Sequence, residues 1–133
     1  MTREELLAMP DEAYMNATQL AYFRTRLRQM REELLDDLEG AREDLQHNDR
    51  TADELDRAAA EESRRLAMRV QEREGRLLRK IEQALQRIES GEYGYCEQSG
   101  EPIGLPRLLA RPTASLCIEV KERLEQTEHL YHE

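Results

Sequence analysis

Cys96 and Cys117 are the only thiols in the chain. Each opens a four-residue group, Cys96-Glu97-Gln98-Ser99 and Cys117-Ile118-Glu119-Val120, and 17 residues lie between the groups. Thiols at Ser99 and Val120 would complete Cys-x2-Cys-x17-Cys-x2-Cys, the spacing of a tetrahedral structural zinc site. Serine is a poor zinc ligand at neutral pH and valine is none, so two thiolates alone cannot close the site. Cys96 and Cys117 are read as buried small residues. A redox switch is the alternative, and a disulfide would need their Cα atoms within about 7 Å.

A second chemical group is acidic. Asp53 and Asp56 are three residues apart, so both can project from one side of a helix's first turn. The ordinary role of such acids is to cap the helix and complement its dipole. A third group is basic: Arg64, Arg65, Arg69, Arg73, Arg76, Arg79 and Lys80 fall within 17 residues. The plain reading is a solvated helix face paired with Glu32, Glu33, Asp36, Asp37 and Glu39, where exposed pairs contribute little. Arg73 interrupts an apolar rhythm, which is consistent with a role other than packing. No Ser/His/Asp set, nucleophile motif or phosphate loop occurs, so an enzyme is not expected. His47 lies near a turn, and His129 with His132 lie in a solvated tail.

The elements that must position these groups follow from periodicity. Residues 1–15 read as a leader of weak helical character, broken at Pro10. Asn16 with Gln19 three residues later resembles a helix start. Leu20, Phe23, Leu27, Met30, Leu34, Leu38, Ala41 and Leu45 then recur at steps of three or four, one stripe on one helix. The stripe stops near His47-Asn48-Asp49-Arg50, and Thr51-Ala52-Asp53-Glu54 reads as a capping box for a second helix. Its stripe is Leu55, Ala59, Leu66, Val70, Leu77, Ile81, Leu85 and Ile88, and Gly91 stands where a left-handed C-cap is expected.

Two such stripes joined by a short polar turn bury each other best as an antiparallel coiled-coil hairpin. It spans residues 16–90, with its tip at about 49–58 and a length of roughly 45–50 Å at 1.5 Å per residue. Residues 91–112 are crowded with Gly and Pro and predict tight turns and short irregular strands. Thr113 is placed to cap a last helix carrying Leu116, Val120 and Leu124. The expected fold is mainly α: a long hairpin, a small degenerate zinc-finger-like region over 91–133 with a C-terminal helix, and a leader packing on that region.

Bulk properties narrow the function. Charged residues are 37%, aromatics 5% and Trp is absent, which leaves little material for a large core and suits long helices with a narrow seam. The net charge of −9 is opposite in sign to what autonomous duplex binding needs, so no direct DNA binding is expected. No apolar run approaches the ~20 residues that span a bilayer, and Met1–Pro10 lacks a signal-peptide pattern. A cytoplasmic monomer is expected.

Several segments resemble the DksA/TraR family. Gly94-Tyr95-Cys96-Glu97, Glu101-Pro102-Ile103-Gly104, and Arg107 to Ala114 with Leu116-Cys117-Ile118 are similar to its zinc-finger region. Asp53-Glu54-Leu55-Asp56-Arg57-Ala58 resembles its hairpin tip, and Tyr14-Met15-Asn16 with Gln19-Leu20 resembles the entry to its first helix. The departure at Ser99 and Val120 resembles zinc-independent paralogues.

The resemblance implies a transcription regulator whose hairpin enters the secondary channel of RNA polymerase, with Asp53, Asp56 and Ala58 acting near the catalytic centre. It implies guanosine tetraphosphate as an effector at the polymerase interface, near Arg73, Arg76, Leu77, Lys80, Arg111 and Lys121. Open promoter complexes, those of ribosomal RNA promoters above all, would be destabilised. No structural zinc is expected, although such an ion supplies ~10–16 kcal/mol of apparent folding free energy. Packing of Val120 and the two thiols is expected to replace part of it, the side chain of one buried Val stabilising by ~1.5–3 kcal/mol. The rival readings are a transcript-cleavage or anti-cleavage factor and a helical-hairpin scaffold or chaperone.

Overall fold

The computed structural model describes residues 1–51 and 57–132, with side chains described outside 47–51 and 129–132. Among the described residues five α-helices follow in order: α1 (Arg3–Leu7), α2 (Ala17–Thr51), α3 (Arg57–Ser90), α4 (Leu105–Ala110) and α5 (Ile118–His132), with a 3-10 turn at Asp11–Ala13. No strand is formed among the described residues; Tyr95 and Pro102 make an isolated antiparallel bridge. The chain divides into two compact units, Met1–Leu27 with Gln83–Glu133, and Arg28–Glu82.

Local chemistry explains the helix ends. Thr2 caps α1 by accepting from the Glu5 N–H at 3.1 Å. At the start of α2, Asn16 Oδ1 accepts from the Gln19 N–H at 2.9 Å, and Gln19 Oε1 accepts from the Met15 N–H at 2.9 Å. The cap is reciprocal, as the sequence suggested, but its return bond reaches Met15. At the end of α3, Gly91 takes the left-handed φ of 82°, and the N–H groups of Glu92 and Tyr93 both donate to the Arg87 carbonyl.

In the unit 28–82 the two long helices pack side by side. Leu34 of α2 is buried, and Leu38, Ala41 and Leu45 are half-buried along the expected stripe. The stripe expected of α3 holds at Ile81, Leu85 and Ile88 and is displaced over residues 66–78. Leu66, Val70 and Leu77 are 51%, 38% and 37% exposed, while Ala67, Gln71, Glu74 and Leu78 are half-buried and Ile81 is buried. These positions keep the heptad alternation of four and three that a two-helix seam follows, and the seam holds to that spacing at the cost of including polar residues.

Thr51 is the last described residue of α2 and Arg57 the first of α3; the expected capping box at 51–54 and the tip residues 52–56 lie outside the described residues. Two further expectations shift. Residues 105–110 form a helix with Pro106 in its first turn, where a missing N–H costs nothing, in place of irregular strand. Thr113 does not cap the last helix, which starts five residues later at Ile118.

The other unit buries Leu6, Phe23, Leu27, Ile88, Tyr93, Leu108 and Val120. Phe23 packs a tilted ring on Tyr93 at 5.6 Å between centroids. α1 lies against α4. The turn-rich stretch between α3 and α5 is held by side chains bonding to backbone. The Tyr93 hydroxyl donates to the buried Pro112 carbonyl at 2.7 Å. The Tyr14 hydroxyl donates to the Gly94 carbonyl at 2.5 Å and accepts from the Gly104 N–H at 2.9 Å. Arg87 Nη2 donates to the carbonyls of Glu92 and Tyr95 at 3.0 and 2.7 Å, and Arg107 Nε to that of Leu116 at 3.0 Å.

Gly94 sits at the centre of this network. Its φ of 92° is left-handed, and a Cβ there would stand 2.6 Å from Met15 Cγ. Burial pushes the phenols of both Tyr93 and Tyr14 up; for Tyr14 the Gly104 N–H opposes that effect. Both hydroxyls therefore stay protonated and able to donate.

The Tyr93 bond offers a direct test of this bracing. Tyr93→Phe keeps the ring and leaves the buried Pro112 carbonyl without its donor, so it is expected to cost ~1–3 kcal/mol. In urea unfolding the midpoint should fall with the slope unchanged.

Candidate functional site

The four positions of the zinc-like spacing converge in one unit. A tight loop brings Cys96 and Ser99 together: the Cys96 N–H donates to the Glu101 carbonyl at 2.8 Å, the Gly100 N–H to the Cys96 carbonyl at 3.0 Å, and the Ile103 N–H to the Gly94 carbonyl at 2.8 Å. The Glu97 N–H donates to the Ser115 carbonyl at 2.9 Å, which joins this loop to the segment carrying Cys117. Ser99 Oγ lies 3.7 Å from Cys117 Sγ and accepts from the Glu101 N–H at 3.3 Å. Val120, in the first turn of α5, is buried.

Burial pushes the Cys96 thiol up, but hydrogen bonds from the Ser99 side chain and from the backbone of Cys117, Ser99 and Gln98 outweigh it. The net result is a pKa lowered to about 6. A loop whose N–H groups converge on one sulfur is built to favour a thiolate. The residues present nevertheless do not fit a structural zinc ion: two thiols, an exposed hydroxyl and a buried isopropyl group supply too few anionic donors. Among the described residues no group of three or more His, Cys, Asp or Glu is placed to hold a metal. The expected apolar filling is realised in part. Cys96 and Val120 are buried, whereas Cys117 is half-buried and keeps Ser99 as its neighbour.

The basic candidates fall in two places. Arg73, Arg76, Leu77 and Lys80 are exposed on α3, in the unit 28–82. Arg111 and Lys121 belong to the other unit, where they line an open cavity of about 520 Å³ with Ile103, Ile118 and Arg107. Lys121 is half-buried and stands 3.9 Å from Glu125. Arg107 is a cation of this cavity that the sequence reading passed over; it stood in the quoted Arg107–Ala114 segment without being singled out. The bracing side chains Tyr14, Tyr93 and Arg87 were also missed, because nothing in their spacing marks a hydrogen bond to a distant carbonyl.

Of the tip residues, Ala58 is exposed in the first turn of α3, and Asp53 and Asp56 lie outside the described residues. On the arm, Arg65 pairs with Glu62 of its own helix at 3.6 Å. No described helix is long and apolar enough to cross a membrane.

Comparison with known proteins places these features in a family. Residues 19–88 match the family described as DnaK suppressor protein DksA, N-terminal domain. Residues 91–126 match the prokaryotic dksA/traR C4-type zinc finger. The RNA polymerase-binding transcription factor DksA of Caulobacter vibrioides is 45% identical over 127 residues, covering 92% of this chain and 87% of that protein. The protein of the same name from Escherichia coli K12 is 44% identical over 119 residues, covering 87% and 78%. The solved structure of transcription factor DksA2 from Pseudomonas aeruginosa matches with a TM-score of 0.90 at 50% identity, covering 96% of this chain and 99% of that one. With its first match alone spanning more than half of its length, the chain belongs to the DksA/TraR family.

Proposed function

We propose that this protein binds RNA polymerase and regulates transcription by interaction, without chemistry of its own. The observation that carries the reading is likeness over almost the entire chain to proteins named as RNA polymerase-binding transcription factors, joined to the Asp53-x-x-Asp56-Arg57-Ala58 sequence between the two long helices. The same names favour regulation over transcript cleavage or a scaffold role.

In the proposed mechanism the hairpin enters the secondary channel, and Asp53 and Asp56 meet mobile elements near the polymerase active site. A bound factor shifts the promoter complex only through its different affinity for the open and closed states. Short-lived open complexes, such as those of ribosomal RNA promoters, are then inhibited most. Guanosine tetraphosphate is the proposed effector at the polymerase interface. Arg111 and Lys121, with Arg107, supply cations around one cavity, and Arg73, Arg76 and Lys80 supply more on α3. Charge-assisted bonds to phosphate are the strong ones. The protein acts in the cytoplasm as a monomer that does not itself grip DNA, in keeping with its net charge of −9.

Zinc has no part in this proposal. Side-chain bonds to backbone and the burial of Val120 support the fold in its place. Melting of the purified chain should be unchanged by excess chelator or added zinc; a collapse on chelation would show that a metal is needed after all.

Two measurements test the activity. Asp56→Asn should bind polymerase normally and lose most inhibition of a ribosomal RNA promoter in vitro, whereas full inhibition by that variant would remove the tip from the mechanism. Arg111→Ala should retain basal inhibition and show a weaker response to guanosine tetraphosphate. An unaltered dose response would detach the cavity from the effector.

A further inference from the structure

Within the unit 28–82, α3 carries two stripes one residue apart. The seam facing α2 is Ala67, Gln71, Glu74, Leu78 and Ile81, and Gln71 and Glu74 are polar. Beside it run Leu66, Val70 and Leu77, 51%, 38% and 37% exposed, with Arg73 filling the gap in their rhythm. One carboxylate oxygen of Glu74 is buried with no hydrogen-bond partner. Opposite, α2 presents Leu34, Leu38, Ala41 and Leu45. The apolar face of α2 is thus met by polar side chains, while better apolar residues on α3 lie one position away, about 100° around the helix.

Both stripes lead into Ile81. The occupied seam reaches it by a step of three from Leu78, and the lateral stripe by a step of four from Leu77. Exchanging a three for a four is a stutter, which changes the winding of a coiled coil locally and leaves the helix intact. Gly75 lies at the divergence. A Cβ there would meet only Arg79 Nη1 at 3.9 Å, so no close approach calls for a glycine, and its effect is to weaken the helix where the winding would change.

We propose that α3 has two packing registers on the tip side of Ile81. In the first, seen here, Ala67, Gln71, Glu74 and Leu78 face α2. In the second, residues 57–78 turn by one position, so that Leu66, Val70 and Leu77 enter the seam while Gln71 and Glu74 reach solvent. Each register has one defect. The first buries the unpartnered Glu74 oxygen, and the second brings Arg73 to the seam, where its long stem can lie on apolar surface with its head in water. The turn re-aims everything on that part of α3, Ala58 and Arg76 included. A surface that contacts one register better selects it.

The test uses the full chain with Val70→Cys and Gln71→Cys introduced separately. Each is labelled by a short pulse of iodoacetamide and read by peptide mass spectrometry, so that the native thiols do not count. Arg73→Leu should slow labelling at position 70 and speed it at 71, each several-fold. Glu74→Leu should do the reverse and raise the melting temperature. Helicity by circular dichroism controls for folding, and because the two substitutions act in opposite directions, either one alone decides. A labelling ratio unmoved by both, as for a stripe that only docks a second copy or another protein, overturns the proposal. So does unfolding by Glu74→Leu, since that change completes the register observed.

Discussion

A turn-rich loop with little regular structure must hold its buried carbonyl groups with side-chain donors, because a buried carbonyl without a donor costs ~1–3 kcal/mol. Here the donors are long side chains reaching in from neighbouring elements. Tyr93 lies three residues past the end of α3 and serves Pro112. Arg87, one turn before the end of α3, serves Glu92 and Tyr95. Tyr14 comes from the leader and joins Gly94 to Gly104. The loop thereby acquires fixed points on three sides, and the cavity carrying Arg107, Arg111 and Lys121 inherits that order from α4 and α5.

The loop also keeps the electrostatic habit of a metal site. Backbone donors from residues 98, 99 and 117 still converge on Cys96 and lower its pKa to about 6. Such donors follow from the turn itself, so they persist when Ser and Val stand at two of the four positions.

Legibility of the sequence varied with how local the physics was. The Asn16–Gln19 cap and the Gly91 stop could be read because each depends on side chains within a few residues. The α2 stripe could be read because its own seam residues, Leu34, Leu38, Ala41 and Leu45, are apolar along its length. The α3 stripe is legible at Ile81, Leu85 and Ile88 and falls one position early before them: Leu66, Val70 and Leu77 are the larger apolar residues, and the seam follows heptad spacing from Ile81 instead. The bonds of Tyr14, 80 and 90 residues from their partners, leave no trace in spacing. The family resemblance rested on the residues at 53–58 and 94–118, and it named candidate groups whose mutual arrangement spacing alone does not reveal.

Those long sequence separations bear on the order of folding. α2 and α3 are stabilised by contacts within a turn or along one seam, so they can form early, whereas the bonds of Tyr14 close loops of 80 and 90 residues. The entropy of such a closure rises with the logarithm of the loop, and residues already ordered in helices shorten the part that is still free. During synthesis the Tyr14 hydroxyl has no native acceptor until Gly94 has left the ribosome, and no native donor until Gly104 has followed. Residues 1–15 are therefore made well before they can settle, and their docking reports that the chain has been delivered as far as Gly104.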